Sequence, residues 1–393
     1  MNICTITCHH VYNYGASLQA FALQHYLESQ GHTVRIIDFN PWYHQDRYNI
    51  FWGGYGIQGW RQILNDKYSP LKYLYRPFKA WKNGMFKTWG RKAAFDIFEE
   101  KHYHLTRRSY TTSKELVNDP PYAECYIAGS DQIWNTYSLN GKEPAYYLDF
   151  GSEDTKRISY AASLATPKIA DGWETFVKEK VLRFNSVSVR EASGVDILTK
   201  LKIKDVMLVV DPVFLLDRTV WRNLYENSTK EYGLNKNSYL LVYDFLGNDL
   251  QMSHFIAEIA KNRNLKIVSI NDFSPREYAD LNINDAGPLE FLDLIDNAAC
   301  IVANSFHATA FSVIFQKEFY TFGLLGHNNS NRMLDFLDLI GLRKHFEPKS
   351  LQKNIDYDTV ECLLNGEIGK SRNFLKYATT TVTVSNDNNL LEY

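Results

Sequence analysis

The sequence predicts an α/β protein built from two Rossmann-like, doubly wound halves. Short apolar runs rich in Val, Ile and Tyr alternate with stretches of helical spacing, the pattern of a parallel sheet with crossover helices. That alternation occurs twice, before and after Asp211-Pro212. The chain has 393 residues, 45% of them hydrophobic, which is enough for two or three domains with sizeable cores. Composition also excludes other classes. Lys+Arg 43 against Asp+Glu 45 gives a net charge of −2, which argues against a surface given over to nucleic acid. An aromatic content of 15%, with 26 Tyr and 8 Trp, argues against disorder. The five cysteines are odd in number and widely spaced, as expected of reduced, buried thiols. Cys4 and Cys8, followed by His9 and His10, have no second ligand pair at zinc spacing nearby. No basic run precedes the first apolar residues, and no apolar run approaches the roughly 20 residues of a membrane helix. A cytoplasmic protein is expected.

The first unit reads as a strand over Ile3 to Cys8, a loop through Asn13-Tyr14-Gly15-Ala16, and a helix from Ser17 to Gln30 that Gly31 stops. Val34 to Phe39 is the next strand. Residues 51–110 then break the rhythm with 12 basic, 4 acidic and 15 aromatic residues, and are expected to form a helical insertion spanning about 41–112. Strands resume at Tyr122–Ala128, Arg157–Ala162, Ser186–Val189 and Val206–Val210. The pre-proline position at Asp211 is biased away from helix and marks a boundary. Beyond it, strands at Tyr239–Phe245, Lys266–Ile270, Cys300–Ala303 and Phe319–Phe322 alternate with helices at Met252–Lys261, Leu289–Asn297, His307–Gln316 and Arg332–Ile340. The expected domains are 1–212 on the acceptor side, 213–350 on the donor side, and a helical tail over 351–393.

Four clusters of polar residues fall where strands end, which is where such sheets bind ligands. Asn304, Ser305 and His307 lie between an apolar strand and a helix N-terminus, a position suited to anions; helix capping by Asn or Ser is the competing reading. Arg190 ends the strand Ser186–Val189 and offers a planar fork for carboxylate or phosphate; a structural tie to Glu191 or Asp211 competes. Ser130, Asp131 and Gln132 follow Gly129 after a strand, where Asp131 can act as a general base or bind sugar hydroxyls, or serve only the turn. Asn13 and Gly15 lead into the first helix. Arg332, after the polar run from Asn328, is a second cation for the cleft. No G-x-G-x-x-G and no P-loop occur, so nothing points to a dinucleotide cofactor or to P-loop ATP hydrolysis.

In this order the motifs resemble the polysaccharide pyruvyl transferase family. They are Asn13-Tyr14-Gly15-Ala16-Ser17-Leu18-Gln19-Ala20, Gly129-Ser130-Asp131-Gln132-Ile133-Trp134-Asn135, Val189-Arg190-Glu191, Val210-Asp211-Pro212, Ser305-Phe306-His307 and Ser330-Asn331-Arg332. The resemblance implies a GT-B-like pair of domains. It also implies transfer of pyruvate from phosphoenolpyruvate to two hydroxyls of a sugar, giving a cyclic ketal in capsule, exopolysaccharide or wall synthesis. It places Arg190 and His307 in the donor site, with His307 as acid/base, Arg190 as anion clamp and Asp131 as acceptor-hydroxyl base, and needs neither cofactor nor metal. Many members carry Arg-Leu-His where this chain has Ser305-Phe306-His307, and Arg332 is the candidate replacement for that arginine. The alternatives are a glycosyltransferase of the same architecture using a nucleotide-sugar, and a non-catalytic scaffold of a polysaccharide-assembly complex.

The insertion has two readings. Its aromatics can serve a small core of their own. Alternatively, Trp52, Trp60, Trp81 and Trp89, interleaved with Arg61, Lys72, Arg76, Lys79, Lys82, Lys87 and Arg91, can dock at the inner face of the membrane, where a lipid-linked acceptor would reside. Cations near anionic lipid gain about 1 kcal/mol each. Docking predicts salt-sensitive co-sedimentation with anionic but not neutral vesicles, reduced when Lys79, Lys82, Lys87 and Arg91 are changed to Gln. Equal sedimentation with both vesicle types would reject it.

Overall fold

The computed structural model describes residues 1–44, 89–226, 230–245, 247, 249–271, 274–324, 331–352 and 354–380. The first half is a parallel sheet of five strands: β1 (Asn2–Ile6), β2 (Thr33–Phe39), β3 (Leu105–Tyr110), β4 (Cys125–Ala128) and β5 (Lys156–Ser159), in the order β3-β2-β1-β4-β5. Single bridges, Ile158 to Ser186 and Ala162 to Val189, continue it onto β6 (Ser188–Val189), which pairs in parallel with β7 (Met207–Leu208). In the second half, β8 (Tyr239–Tyr243), β9 (Lys266–Ile270), β10 (Leu281–Ile283), β11 (Cys300–Ala303) and β12 (Glu318–Thr321) form a second parallel sheet, β10-β9-β8-β11-β12. The central strands are buried along their whole length, as parallel strands covered on both faces must be.

Helix α1 (Tyr14–Ser29) begins three residues before the sequence suggested. Asn13 caps it, its Oδ1 accepting the Ala16 N–H at 3.2 Å, so the expected loop is the first helical turn. The helix is buried nearly all round because it lies between the first sheet and the second half. Tyr14 stacks on Phe291 with centroids 4.4 Å apart, and Phe21 packs against Trp221. One apolar cluster therefore runs through both halves, from Leu18 and Phe98 to Phe291, Phe311 and Phe336.

The expected insertion is shorter than the charge pattern implied. Helix α2 (Trp89–His102) buries Phe95 and Phe98, and β3 pairs with β2 at Ile36–Leu105 and Phe39–Tyr110, so residues 89–110 belong to the sheet unit. The strand was hidden because it is an edge: Arg107, Arg108 and Ser109 face solvent, and charged edge strands resist unwanted pairing. Arg91 is 4% exposed and donates to the Tyr12 carbonyl at 3.0 Å, so it is no part of a surface basic face. The vesicle variant is accordingly limited to Lys79, Lys82 and Lys87. These, with Trp52, Trp60, Trp81, Arg61, Lys72 and Arg76, lie outside the described residues.

After β7 come α6 (Arg218–Tyr225), then α7 (Leu250–Arg263), α8 (Pro288–Asn297), α9 (Phe306–Ile314) and α10 (Asn331–Leu339), counting α3 (Ser113–Asn118), α4 (Glu174–Val181) and α5 (Ala192–Lys200) in the first half. The tail contains α11 (Tyr357–Thr379), capped by Asp356. It returns to the first half: the Ser371 hydroxyl accepts the Val210 N–H at 3.0 Å, Arg372 donates to the Leu215 carbonyl, and Lys156 donates to the Thr380 carbonyl. Among the described residues no helix is long and apolar enough to cross a membrane.

Trp221 is fully buried, donates its Nε1–H to the Val213 carbonyl at 3.1 Å, and touches rings of both halves. Trp221→Ala should cost about 3–5 kcal/mol, read as a lower denaturant midpoint. Because the cluster is shared, both halves should unfold in one transition; two separate transitions in the wild type would show independent cores.

Candidate active site

Four strand ends converge on one cleft of about 480 Å³, lined among others by Asn13, Asp131, Gln132, Ser305, Phe306, His307 and Arg332. Each group arrives by a local device. Beyond β4, Gly129 comes close to Thr7, where a Cβ would stand 3.3 Å from the Thr7 Cβ. Asp131 adopts a left-handed backbone (φ +74°), which Asp tolerates better than most residues. Ile133 and Trp134 are fully buried behind it, and Trp134 stacks on Tyr147, so the turn is anchored from inside. At the end of β11, Ser305 caps α9, with the Ala308 N–H 3.5 Å from its Oγ, and His307 occupies the first turn.

Asp211 is the junction. Its Oδ1 accepts the Val213 N–H at 3.1 Å, starting the 3₁₀ turn Pro212–Leu215. Its Oδ2 accepts from Ser130 Oγ at 3.0 Å and from Arg190 Nη1 at 2.5 Å, and faces His307 Nε2 at 3.5 Å. The carboxylate is fully buried; burial alone would push its pKa up, but the neighbouring His307 and Arg190 outweigh this and hold it well below the usual carboxylate range. Arg190 also sits 3.7 Å from Glu191 and stacks on Phe306, 4.7 Å from the ring centroid. Burial raises the Glu191 carboxyl, which accepts from the Ser163 hydroxyl. The tie to Asp211 and Glu191 therefore exists, yet Arg190 Nε and Nη2 are buried without a hydrogen-bond partner among the described residues.

Arg332 reaches the same place from α10, 6.0 Å from the Phe306 centroid. With its amide oxygen turned toward that guanidinium, Gln132 accepts from both Nη atoms at 2.9 and 3.1 Å. Burial and the nearby Arg190 charge bring Arg332 down to about 10.

His307 rests on Gly15. A Cβ on Gly15 would lie 1.9 Å from His307 Nδ1, so only glycine admits the imidazole there. This explains Gly15 without any phosphate cradle: the residue makes room for a side chain of the other half. Asn304 is different from its neighbours. Its Nδ2 donates to Asp244 Oδ1 at 2.8 Å and its Oδ1 accepts the Phe245 N–H at 3.0 Å, so its polar atoms fasten the ends of β11 and β8 to each other rather than face a ligand.

At the opposite end of the cleft lie Cys8, His44, Ser138 and Asn140. His44 Nε2 lies 2.8 Å from Asn140 Oδ1, and burial pushes this imidazole down to about 4. The cleft is thus cationic at one end and neutral at the other, with Asp131 between. Burial also pushes the Cys4 thiol up to about 11 and raises that of Cys8 further, which leaves both unreactive. His9 is buried 3.6 Å from Asp38, and His10 pairs with Glu99 at 2.8 Å, so both are structural.

The family model for polysaccharide pyruvyl transferase matches residues 13–324, four-fifths of the chain. The chain belongs to the polysaccharide pyruvyl transferase family. A pyruvyl transferase of this family works in polysaccharide biosynthesis, and the two parallel sheets flanking a cleft are the GT-B-like arrangement expected of it. No curated protein sequence matches the chain. Among solved structures it is similar to UDP-GlcNAc 2-epimerase from Neisseria meningitidis, bound to UDP-GlcNAc, at 10% identity and TM-score 0.45, covering 97% of this chain and 95% of that one. It is also similar to UDP-GlcNAc 2-epimerase from Methanocaldococcus jannaschii, in complex with UDP-GlcNAc and UDP, at 13% identity and TM-score 0.45, covering 96% and 100%. The glycosyltransferase SnogD from Streptomyces nogalater aligns at 11% identity and TM-score 0.36, covering 96% and 99%.

Gly15→Ala should cost about 1–3 kcal/mol in stability, since the buried Cβ has no room, and should displace His307. Misplacing a catalytic group by about 1 Å can cost ~10²-fold in turnover. Near-normal turnover would show that the imidazole is not held against Gly15 for function. A separate check follows from Asp211. With an unfolded pKa of about 3.9 and a lower folded one, its stabilising share is full at neutral pH and is lost as pH falls below about 4. The stability gap between wild type and Asp211→Asn should narrow in that acid range and stay constant above about pH 5.

Proposed function

We propose that the protein transfers the pyruvate unit of phosphoenolpyruvate onto two hydroxyls of one sugar unit, forming a cyclic ketal and releasing inorganic phosphate. The observation that supports this most is the gathering of Arg190 and Arg332 around Phe306, 4.7 and 6.0 Å from its ring centroid, beside His307 at a helix N-terminus. Arg190 Nε and Nη2 and Arg332 Nε are buried without hydrogen-bond partners among the described residues. Buried donors of this kind normally have partners, and a small dianion with a carboxylate and a phosphate would supply them. Ser305, standing where many members carry arginine, leaves the second cation to Arg332.

In this reading the methylene carbon of the donor takes a proton, supplied by His307. One sugar hydroxyl then bonds to C2 and loses its proton to Asp131. Phosphate departs with the C2–O electron pair and takes up the proton held by Asp131, its charge balanced by the two guanidinium groups. The second hydroxyl closes on C2 and gives up its proton, completing the ketal. Ser130 donates to Asp211 and accepts from Arg190 Nη1 at 3.3 Å, so it acts through both, and Gln132 orients Arg332. Asn13 and Ser305 border the cleft as helix caps. The neutral end near His44 and Asn140 is the acceptor side. A lipid-linked acceptor, as in capsule or exopolysaccharide assembly, would bring the enzyme to the inner membrane face as a peripheral partner, and no metal or organic cofactor takes part in the scheme.

The deciding experiment incubates the protein with phosphoenolpyruvate and candidate lipid-linked sugars and follows the product mass. A gain equal to one pyruvyl ketal, with one phosphate released, is expected. Turnover of nucleotide-sugars instead would replace this reading with glycosyl transfer. His307→Ala should lose roughly 10²–10⁴-fold in turnover. Arg190→Lys keeps the charge but loses the fork and the stacking on Phe306, so the KM for phosphoenolpyruvate should rise; unchanged donor use in Arg190→Ala would leave Arg190 a structural role only.

A further inference from the structure

We infer that Asp211 is the positioning residue of the reaction: it fixes which nitrogen of His307 exchanges the proton and holds Arg190 in register with it. This rests on the pyruvyl-transfer reading for the identity of the reaction, though not for the geometry. Asp211 is 1% exposed and is not among the residues lining the cleft, whereas its neighbour His307 is, so it acts on a substrate there only through its partners.

His307 has two distinct edges. Nε2 is buried, faces Asp211 Oδ2 at 3.5 Å and has no hydrogen bond among the described residues. Nδ1 lies over Gly15, at the entry of α1. A carboxylate opposite one nitrogen favours the tautomer that places the N–H there. Asp211 therefore keeps hydrogen on Nε2 and leaves Nδ1 to carry the proton that moves. The separation is long for a hydrogen bond, and catalytic contacts of this kind tighten when substrate binds. During turnover the ring enters protonated on both nitrogens; Nδ1 gives its proton to the donor methylene carbon, which leaves the ring neutral, and later recovers one from the closing hydroxyl. The Nε2–H bond is conserved throughout, and Asp211 stays a carboxylate. The same oxygen holds Arg190 Nη1 at 2.5 Å and Ser130 Oγ at 3.0 Å, while Nε faces Glu191 at 3.7 Å, which leaves Nη2 for an anion. Proton carrier and anion clamp are thus aligned by one atom.

Two measurements test this. The first is the nitrogen spectrum of ¹⁵N-histidine-labelled wild type without substrate, at a pH where the ring is neutral. His307 is assigned as the one of 11 histidines that disappears in His307→Gln. The Nε2–H tautomer is expected, and a hydrogen on Nδ1 would overturn the proposal whatever reaction the enzyme performs. The second is steady-state kinetics of Asp211→Asn against wild type. A loss of about 10²-fold or more in kcat, together with a raised KM for phosphoenolpyruvate, is expected, because both His307 and Arg190 lose their guide. A drop in active enzyme with kcat per active site and KM unchanged would leave Asp211 a purely structural role. If Asp211→Asn does not fold, the wild-type spectrum decides alone. Wild type that shows the expected tautomer but transfers no pyruvyl group would remove the reaction and keep the geometry.

Discussion

A single buried carboxylate governs the arrangement. Asp211 gathers a backbone N–H, a hydroxyl, a guanidinium and an imidazole, each from a different segment of the chain. A buried ion pair of this sort adds little net stability over an apolar packing, but removing one partner strands the others in a medium that cannot solvate them. Such a hub therefore specifies geometry more than it stabilises the fold. The residues it ties together come from the ends of β4 and β6 and from the start of α9, so the two sheets are registered where chemistry would occur.

The second constraint is steric. His307 belongs to one half and Gly15 to the other, and the imidazole occupies the volume a Cβ would need. Together with the Tyr14–Phe291 stack and the cluster around Trp221, this leaves little freedom for the halves to slide. The site is preorganised: the cations are already gathered around Phe306 and Asp211, and the ordering cost of assembling them is met during folding.

Much of this was readable in the residues. Alternating apolar runs gave away both sheets because parallel strands are buried on both faces and need no polar alternation. Arg190, His307, Asp131 and Arg332 were visible because charged side chains at strand ends have few structural excuses. Other features were not readable. β3 carries the solvent face of an edge strand, so its arginines looked like part of a basic insertion, and Arg91 is an arginine that spends its donors inside. Asp211 looked like punctuation before a proline, since its three non-local partners are 21 to 96 residues away in the chain. Asn304 was indistinguishable from its ligand-facing neighbours because capping, strand fastening and anion binding use the same residue type. Phe306 shows no signal of its own until two guanidinium groups are seen near its ring.

The helix that follows the second sheet has a consequence for how such proteins diversify. α11 lies beyond residue 324, where the match to the family model ends, yet its Ser371 holds the backbone of Val210, next to the hub. The two halves are therefore not interchangeable cassettes. A chimera joined at residue 212 would inherit a foreign strap against its first half and a foreign ring against Tyr14. Changes in what the cleft admits are more accessible through substitutions around His44, Ser138 and Asn140 than through recombination of whole domains.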